Sequence, residues 1–292
     1  MRTTDVRGIF SMLAAVFCFS LMDACLKQMA ATYSPLQVTF FRGAAGLPFV
    51  LAMSALRRDW RGLIPVRWPL HVLRGLMSVV TLYAFVYAVS VLSLADAYSI
   101  FMVAPLLVTA LSAPMLGEHV GWRRWVAICV GMLGAIVILR PSGAGLATLG
   151  GLAALIAAVF YAVGVILIRI ATRTDTAAAT VFWTLLVLTC AAGVLSIPGW
   201  IPVRTEHWLW IVAIGITGAC GQLLLTDAFR RCEASVVAPF EYSALLWGVL
   251  LDLFIWQVWP NNRMLFGSAF VVGSGLYVIY RERAANKLAL AS

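Results

Sequence analysis

Ten stretches of roughly twenty apolar residues, each set off from the next by a few polar or basic ones, leave this chain one solvent to fold in. They run at about 8–28, 36–56, 69–90, 95–116, 121–139, 149–169, 177–198, 207–229, 234–256 and 263–280. A helix needs about 20 apolar residues to cross roughly 30 Å of hydrocarbon. Lipid offers backbone N–H and C=O groups no partners, so each stretch must satisfy its own as a helix, and runs this continuous do not suit barrel strands. Composition agrees: 63% of residues are hydrophobic, 11% are charged and the mean hydropathy is +0.96, whereas about a quarter of a soluble domain is charged. The pattern predicts an all-α integral membrane protein with ten transmembrane helices. The connections are too short to hold a soluble domain with separate chemistry.

A net charge of +9 would suit nucleic acid in a soluble protein, but here the charge is distributed as a topology signal. Of the 21 basic residues, fifteen fall in one set of alternate loops and termini. Four (Lys27, Arg140, Arg204 and Arg263) fall in the other, and Arg42 and Arg74 lie within spans. By the positive-inside rule both termini are cytoplasmic, which requires an even number of spans. Arg2 and Arg7 before a full-length apolar run read as an uncleaved first span. Trp60, Trp68, Trp122 and Trp125 fall at the cytoplasmic edge and Trp200, Trp208, Trp210, Trp256 and Trp259 at the outer edge, as interfacial belts do. The six cysteines show no metal or redox spacing and read as small hydrophobes.

The stretch Leu94–Arg140 recurs, shifted by 139 residues, as Glu233–Ile279. Ala95 meets Ala234, Leu106 meets Leu245, Leu111 meets Leu250, Glu118 meets Gln257 and Gly134 meets Gly273. The AAVF of Ala14–Phe17 returns at Ala157–Phe160. The chain therefore divides into a five-helix repeat at 1–140 and another at 141–292. Five is odd, so the second copy enters the membrane upside down. Inverted repeats of this kind are a build that transporters use to form two similar gates around a midplane site.

Ionisable groups within spans are functional candidates, because lipid penalises them. Asp23 and Lys27 lie one turn apart in the first span. They read either as a self-neutralising pair with Lys27 snorkelling outward or as counter-charges for a zwitterionic solute, with Asp23 a proton site. In the ninth span Glu241, Ala244, Gly248 and Asp252 form one helical stripe, and Glu241, the deeper acid, is a candidate for binding or protonation, the alternative being a structural acceptor. Ser20, Tyr83, Tyr87, Tyr98, Met102, Tyr161, Gln222 and Tyr242 complete the expected central cavity, an apolar pocket with a few hydroxyls and amides suited to a small amphipathic solute. Ordinary interhelical packing is the other reading of each tyrosine. Pro105 in mid-span four and Pro239 in span nine are candidate hinges or static kinks. Arg42 reads as an outer-end anchor, and Glu118 as a stabiliser of the next helix's N-terminus. No metal, nucleophile or phosphate-cradling cluster is present.

Leu116-Gly117-Glu118, the Arg123–Leu139 span with Gly131 and Gly134, Ala238-Pro239-Phe240-Glu241-Tyr242 and Gly273-Ser274-Gly275-Leu276 occur in an order that resembles the drug/metabolite transporter superfamily, EamA type, across essentially the whole chain. Gln257 stands where that family has a glutamate matching Glu118. The resemblance implies a monomeric carrier with a central cavity, without enzyme activity, cofactor or nucleic-acid partner. Within the superfamily the chain is similar to bacterial inner-membrane amino-acid exporters, including those for aromatic amino acids. The resulting expectation is amino-acid export across the inner membrane by alternating access. The alternatives are a same-fold carrier for riboflavin, S-adenosylmethionine, a sugar derivative or a drug, a non-transporting membrane scaffold, or a membrane enzyme.

Overall fold

The computed structural model describes residues 6–56, 58–92, 100–118 and 148–244, with scattered positions at 97, 121–122, 125–126, 128–130, 132–133, 246–247, 250 and 273. The fifth and tenth spans, Tyr98, Asp252, Gln257 and the boundary between the expected repeats lie wholly or largely outside the described residues. Spans one to four appear as α1 (Val6–Ala30), α2 (Pro35–Leu56), α3 (Trp68–Val91) and α4 (Ala104–Leu116), and spans six to eight as α5 (Leu149–Ala171), α6 (Ala177–Ser196) and α7 (Trp208–Arg231). The ninth span opens with a short α8 (Ala234–Val237) and a 3-10 segment, Ala238–Tyr242. Six helices among the described residues are long and apolar enough to cross a membrane: α1, α2, α3, α5, and α6 and α7 with their 3-10 extensions.

Two spans differ from the continuous helices expected of them. Span four breaks into a turn at Met102–Val103, and Pro105 lies in the first turn of α4, not in mid-helix. Proline has no N–H and crowds the carbonyl four residues back, so the first turn is where a helix tolerates it. Pro239 has the same effect in span nine, where it opens the 3-10 segment. Gly117 then ends α4 with a left-handed φ of 69°, the conformation a helix C-terminus reserves for glycine.

The helices pair α1 with α7, α3 with α5 and α2 with α6, and α2 also packs on α7, α3 on α6 and α4 on α5. Exchanging the first four helices for α5–α8 maps this set of pairings onto itself, with α8 on α1 standing for α4 on α5. Contacts at the helix ends give the directions. Gly8 at the start of α1 sits against Arg231 and Cys232 at the end of α7, while Gly150 at the start of α5 sits against Val91 and Leu92 at the end of α3. Tyr33 after α1 bonds His207 before α7, 2.8 Å apart. His71 near the start of α3 bonds Asp175 after α5, 3.0 Å apart. Arg169 at the end of α5 donates to the Phe229 and Arg230 carbonyls at the end of α7 (2.5 and 3.2 Å), beside which α1 begins, so α1 and α5 run in opposite senses.

Lipid tails are as apolar as leucine, so helices in a bilayer associate through close packing of small residues. Gly215 of α7 lies so near α2 that a Cβ there would stand 2.5 Å from the Ala45 carbonyl carbon, and one on Gly75 of α3 would stand 2.4 Å from Val187 of α6. Trp60, Trp68 and Trp122 are exposed near one end of the bundle, and Trp200, Trp208 and Trp210 at the other.

Candidate functional site

The helix breaks in spans four and nine meet the same cavity, one of about 130 Å³ that Met102 and Glu241 both line. Met102 and Glu241 stand 139 positions apart, each at the break in its own span. Around them α1 contributes Ser20 and Asp23, α5 contributes Tyr161 and α7 contributes Gln222. Phe19, Phe85 and Phe101 supply the apolar wall, with Phe101 edge-packed between Phe85 (centroids 5.2 Å) and Tyr161 (5.5 Å). Such stacked rings present one rigid aromatic surface.

Glu241 is only 7% exposed. Its Oε1 is buried without a hydrogen-bond partner among the described residues, and Tyr161 stands beside it in the cavity wall. Ser20 turns its hydroxyl back to the Val16 carbonyl (3.0 Å), a habit that relieves a serine inside a helix. Asp23 lies near enough to Arg42 for the two charges to attract.

Not every expected residue reaches the cavity. Tyr83 is 42% exposed and faces away from it, because α3 turns Thr81, Leu82 and Phe85 inward instead. Tyr87 does not line the cavity. Tyr242 is fully buried beside Met102 and Ile128, behind the wall, its hydroxyl without a partner among the described residues. Lys27, near the end of α1, is exposed and outside the cavity. Four residues turn a helix about 40° past a full circle, and the long stem of lysine reaches the interface from there. Among the described residues no cluster of histidine, cysteine or acid groups could hold a metal.

Two arginines were missed, one of them a cavity residue. Arg42, read as an outer-end anchor, lines the cavity with its guanidinium 5.7 Å over the Phe19 ring. Arg74 is 2% exposed; its Nη1 donates to the Thr180 carbonyl (2.8 Å) and the Thr184 hydroxyl of α6. The signal that marked Asp23 and Glu241, an ionisable group within a span, marks these arginines equally.

Hydrogen bonds and ion pairs close the two ends of the bundle. At the end holding the start of α1, Asp175 accepts from His71 (3.0 Å) and from the Val66 N–H (2.6 Å). There too Glu118 accepts from Ala234 N–H (2.9 Å) and faces Arg169 (3.6 Å). Glu118 does cap a helix N-terminus, but the one it reaches is that of α8, brought to it by the fold. At the other end Gln37 exchanges two bonds with Ile201 (2.6 and 3.0 Å), and Arg204 N–H donates to Tyr33 (3.1 Å).

The EamA-like transporter family model matches this chain twice, at residues 6–140 and 148–281. The pseudopaline exporter of Pseudomonas aeruginosa is 28% identical over 266 residues, covering 91% of this chain and 93% of that protein. The S-adenosylmethionine uptake transporter of Rickettsia prowazekii is 24% identical over 286 residues (96% and 95%), and the riboflavin transporter of Vibrio cholerae 29% over 214 (73% and 72%). One chain in a solved crystal structure superposes with a TM-score of 0.80 at 21% identity, covering 95% of this chain and 98% of that one, and so shares the fold. The family match spans nearly the entire length: this multi-pass membrane protein belongs to the EamA-like transporter family, within the drug/metabolite transporter superfamily.

Proposed function

We propose that the protein is a secondary transporter exporting amino acids, aromatic and apolar ones among them, across the bacterial inner membrane by alternating access. The observation that carries this reading is one cavity that holds acids, Asp23 and Glu241, beside an aromatic wall of Phe85, Phe101 and Tyr161. An α-ammonium group needs an acid in a water-poor site, and an apolar side chain needs the wall. Alternation rests on two inverted five-helix halves, 1–140 and 141–292. Their inversion is supported by the opposed directions of α1 and α5, and their duplication by the double family match. Both termini are cytoplasmic in this reading, supported by Arg7, Arg61, Arg67, Arg169, Arg173 and Arg231 falling at one end of the bundle, and the carrier works as a monomer.

Flux of a panel of amino acids in proteoliposomes, with and without a pH gradient, tests the proposal. Export of phenylalanine or leucine from oriented vesicles is the expected result. A carrier that ignores every amino acid and moves riboflavin or S-adenosylmethionine, the solutes for which two relatives are named, would refute it.

A further inference from the structure

The amino-acid reading assigns work to the two acids of the cavity and none to Arg42 in its wall or to Arg74 behind it. A small recess, about 50 Å³, lies between α2 and α3 on one side and α5 and α7 on the other; Arg42, Arg74, Ser78 and Thr81 are among its walls. Arg42, Thr81, Tyr161 and Gln222 line both this recess and the main cavity, so the two share walls.

Both guanidinium groups are left incomplete there. The Nε of Arg42 and the Nε of Arg74 are each buried without a hydrogen-bond acceptor among the described residues. Among those residues Arg74 makes its side-chain hydrogen bonds through Nη1, to Thr180 and Thr184, which fix the plane of the group. No carboxylate among the described residues bonds to Arg74, and the charged groups that act on it are Arg42 and His71. Two cations close together in a medium of low dielectric repel, and each carries an unmet donor. The fold nevertheless holds both in place, and an anion is the ligand that relieves both costs at once. A carboxylate offers two coplanar acceptor oxygens and no donor, which matches the guanidinium fork.

We propose that Arg42 and Arg74 form a carboxylate subsite. The substrate seats its carboxylate in the recess, between the two guanidinium groups, and lays its body against the aromatic wall. Its ammonium group, where it has one, faces Asp23 and Glu241. The carrier then selects carboxylate-bearing solutes over the corresponding amides and amines. This inference rests on the cavity being the substrate site but not on the substrate being an amino acid.

Thermal protection of the purified protein by a ligand series tests it: phenylalanine, phenylalaninamide, phenethylamine, 3-phenylpropionate, succinate and inorganic phosphate. Phenylalanine and 3-phenylpropionate are expected to protect, and the amide and amine not. Arg74→Gln and Arg42→Gln are each expected to raise the concentration needed by about tenfold or more, the scale of a charge-assisted bond, with Arg74→Lys in between. Protection by the amide equal to that by the acid, protection by phosphate alone, or protection by no carboxylate overturns the subsite. So does an unchanged preference for acid over amide in both glutamine variants. Size-exclusion profiles show whether the variants are folded; if Arg74→Gln is not, Arg42→Gln and the wild-type series decide. Binding of 3-phenylpropionate or succinate without transport of any amino acid keeps the subsite and rejects the amino-acid reading. Amino-acid transport with no acid-over-amide preference does the reverse.

Discussion

Glu241 sits on a 3-10 segment in the wall of the cavity, nearly buried, with one carboxyl oxygen lacking a partner among the described residues and Tyr161 beside it. A carboxylic group in that position can take a proton from one side and release it to the other when access alternates. Glu241→Gln preserves size and one acceptor but cannot titrate, so it is expected to abolish the stimulation of flux by a pH gradient while leaving counterflow exchange measurable. Asp23→Asn tests the other acid in the same assay; if both variants keep the gradient effect, neither carries the proton. Asp23 and Glu241 were legible in the sequence because a charge inside an apolar run is conspicuous. Arg42 was not, since seven residues from the start of a helix an arginine can equally snorkel to the interface. What turns it inward is a neighbour remote in sequence: Gly218 of α7, where a Cβ would stand 3.4 Å from the Arg42 Nε. Tyr83 failed for a different reason: α3 turns Thr81, Leu82 and Phe85 to the cavity, and a single residue along a helix moves a side chain about 100° around its axis.

Among the elements, the crossings of α2 with α7 and of α3 with α6 are governed by single glycines, and they predict distinct mutational behaviour. In Gly215→Ala the new methyl meets the Ala45 carbonyl carbon at 2.5 Å and its oxygen at 2.6 Å. Backbone cannot step aside, so the helices must part, and a loss of about 1–3 kcal/mol is expected, read as a lower melting temperature in detergent. In Gly75→Ala the obstacle is the Val187 side chain, at 2.4 Å. Adding Val187→Ala is expected to restore most of that loss, whereas Ala45→Gly leaves the obstructing carbonyl of Gly215→Ala in place. Apolar length alone located α1, α2, α3, α5, α6 and α7 to within a few residues, because twenty-residue apolar runs admit no other structure in lipid. The broken starts of spans four and nine escaped that logic. Hydropathy is unchanged across Met102 and Val103, and whether Pro105 bends a helix or begins one depends on the backbone before it.

For the whole molecule, orientation is a matter of which end holds the arginines. In a cysteine-free background, Arg61→Cys and Arg204→Cys place single thiols at exposed positions at opposite ends. An impermeant maleimide added to intact cells is expected to label only the second. The end that carries Arg61 is fastened by acids that reach across the sequence, Asp175 to His71 and Glu118 to Arg169 and Ala234. Asp175→Ala leaves the His71 ring and the Val66 N–H without their acceptor and is expected to cost on the order of 3 kcal/mol, measurable as accelerated thermal unfolding. How this end locks together was not legible in the sequence, since His71 and Asp175, and likewise Glu118 and Ala234, lie more than a hundred positions apart. At the far end Tyr33, Phe40, Phe41 and Trp200 meet ring against ring. Parting rings wets hydrocarbon and raises heat capacity, whereas parting ions wets polar groups and lowers it. In the proposed alternating-access cycle, inward-facing and outward-facing forms therefore differ in heat capacity, and the share of carriers waiting on each face drifts with the temperature at which the cell grows.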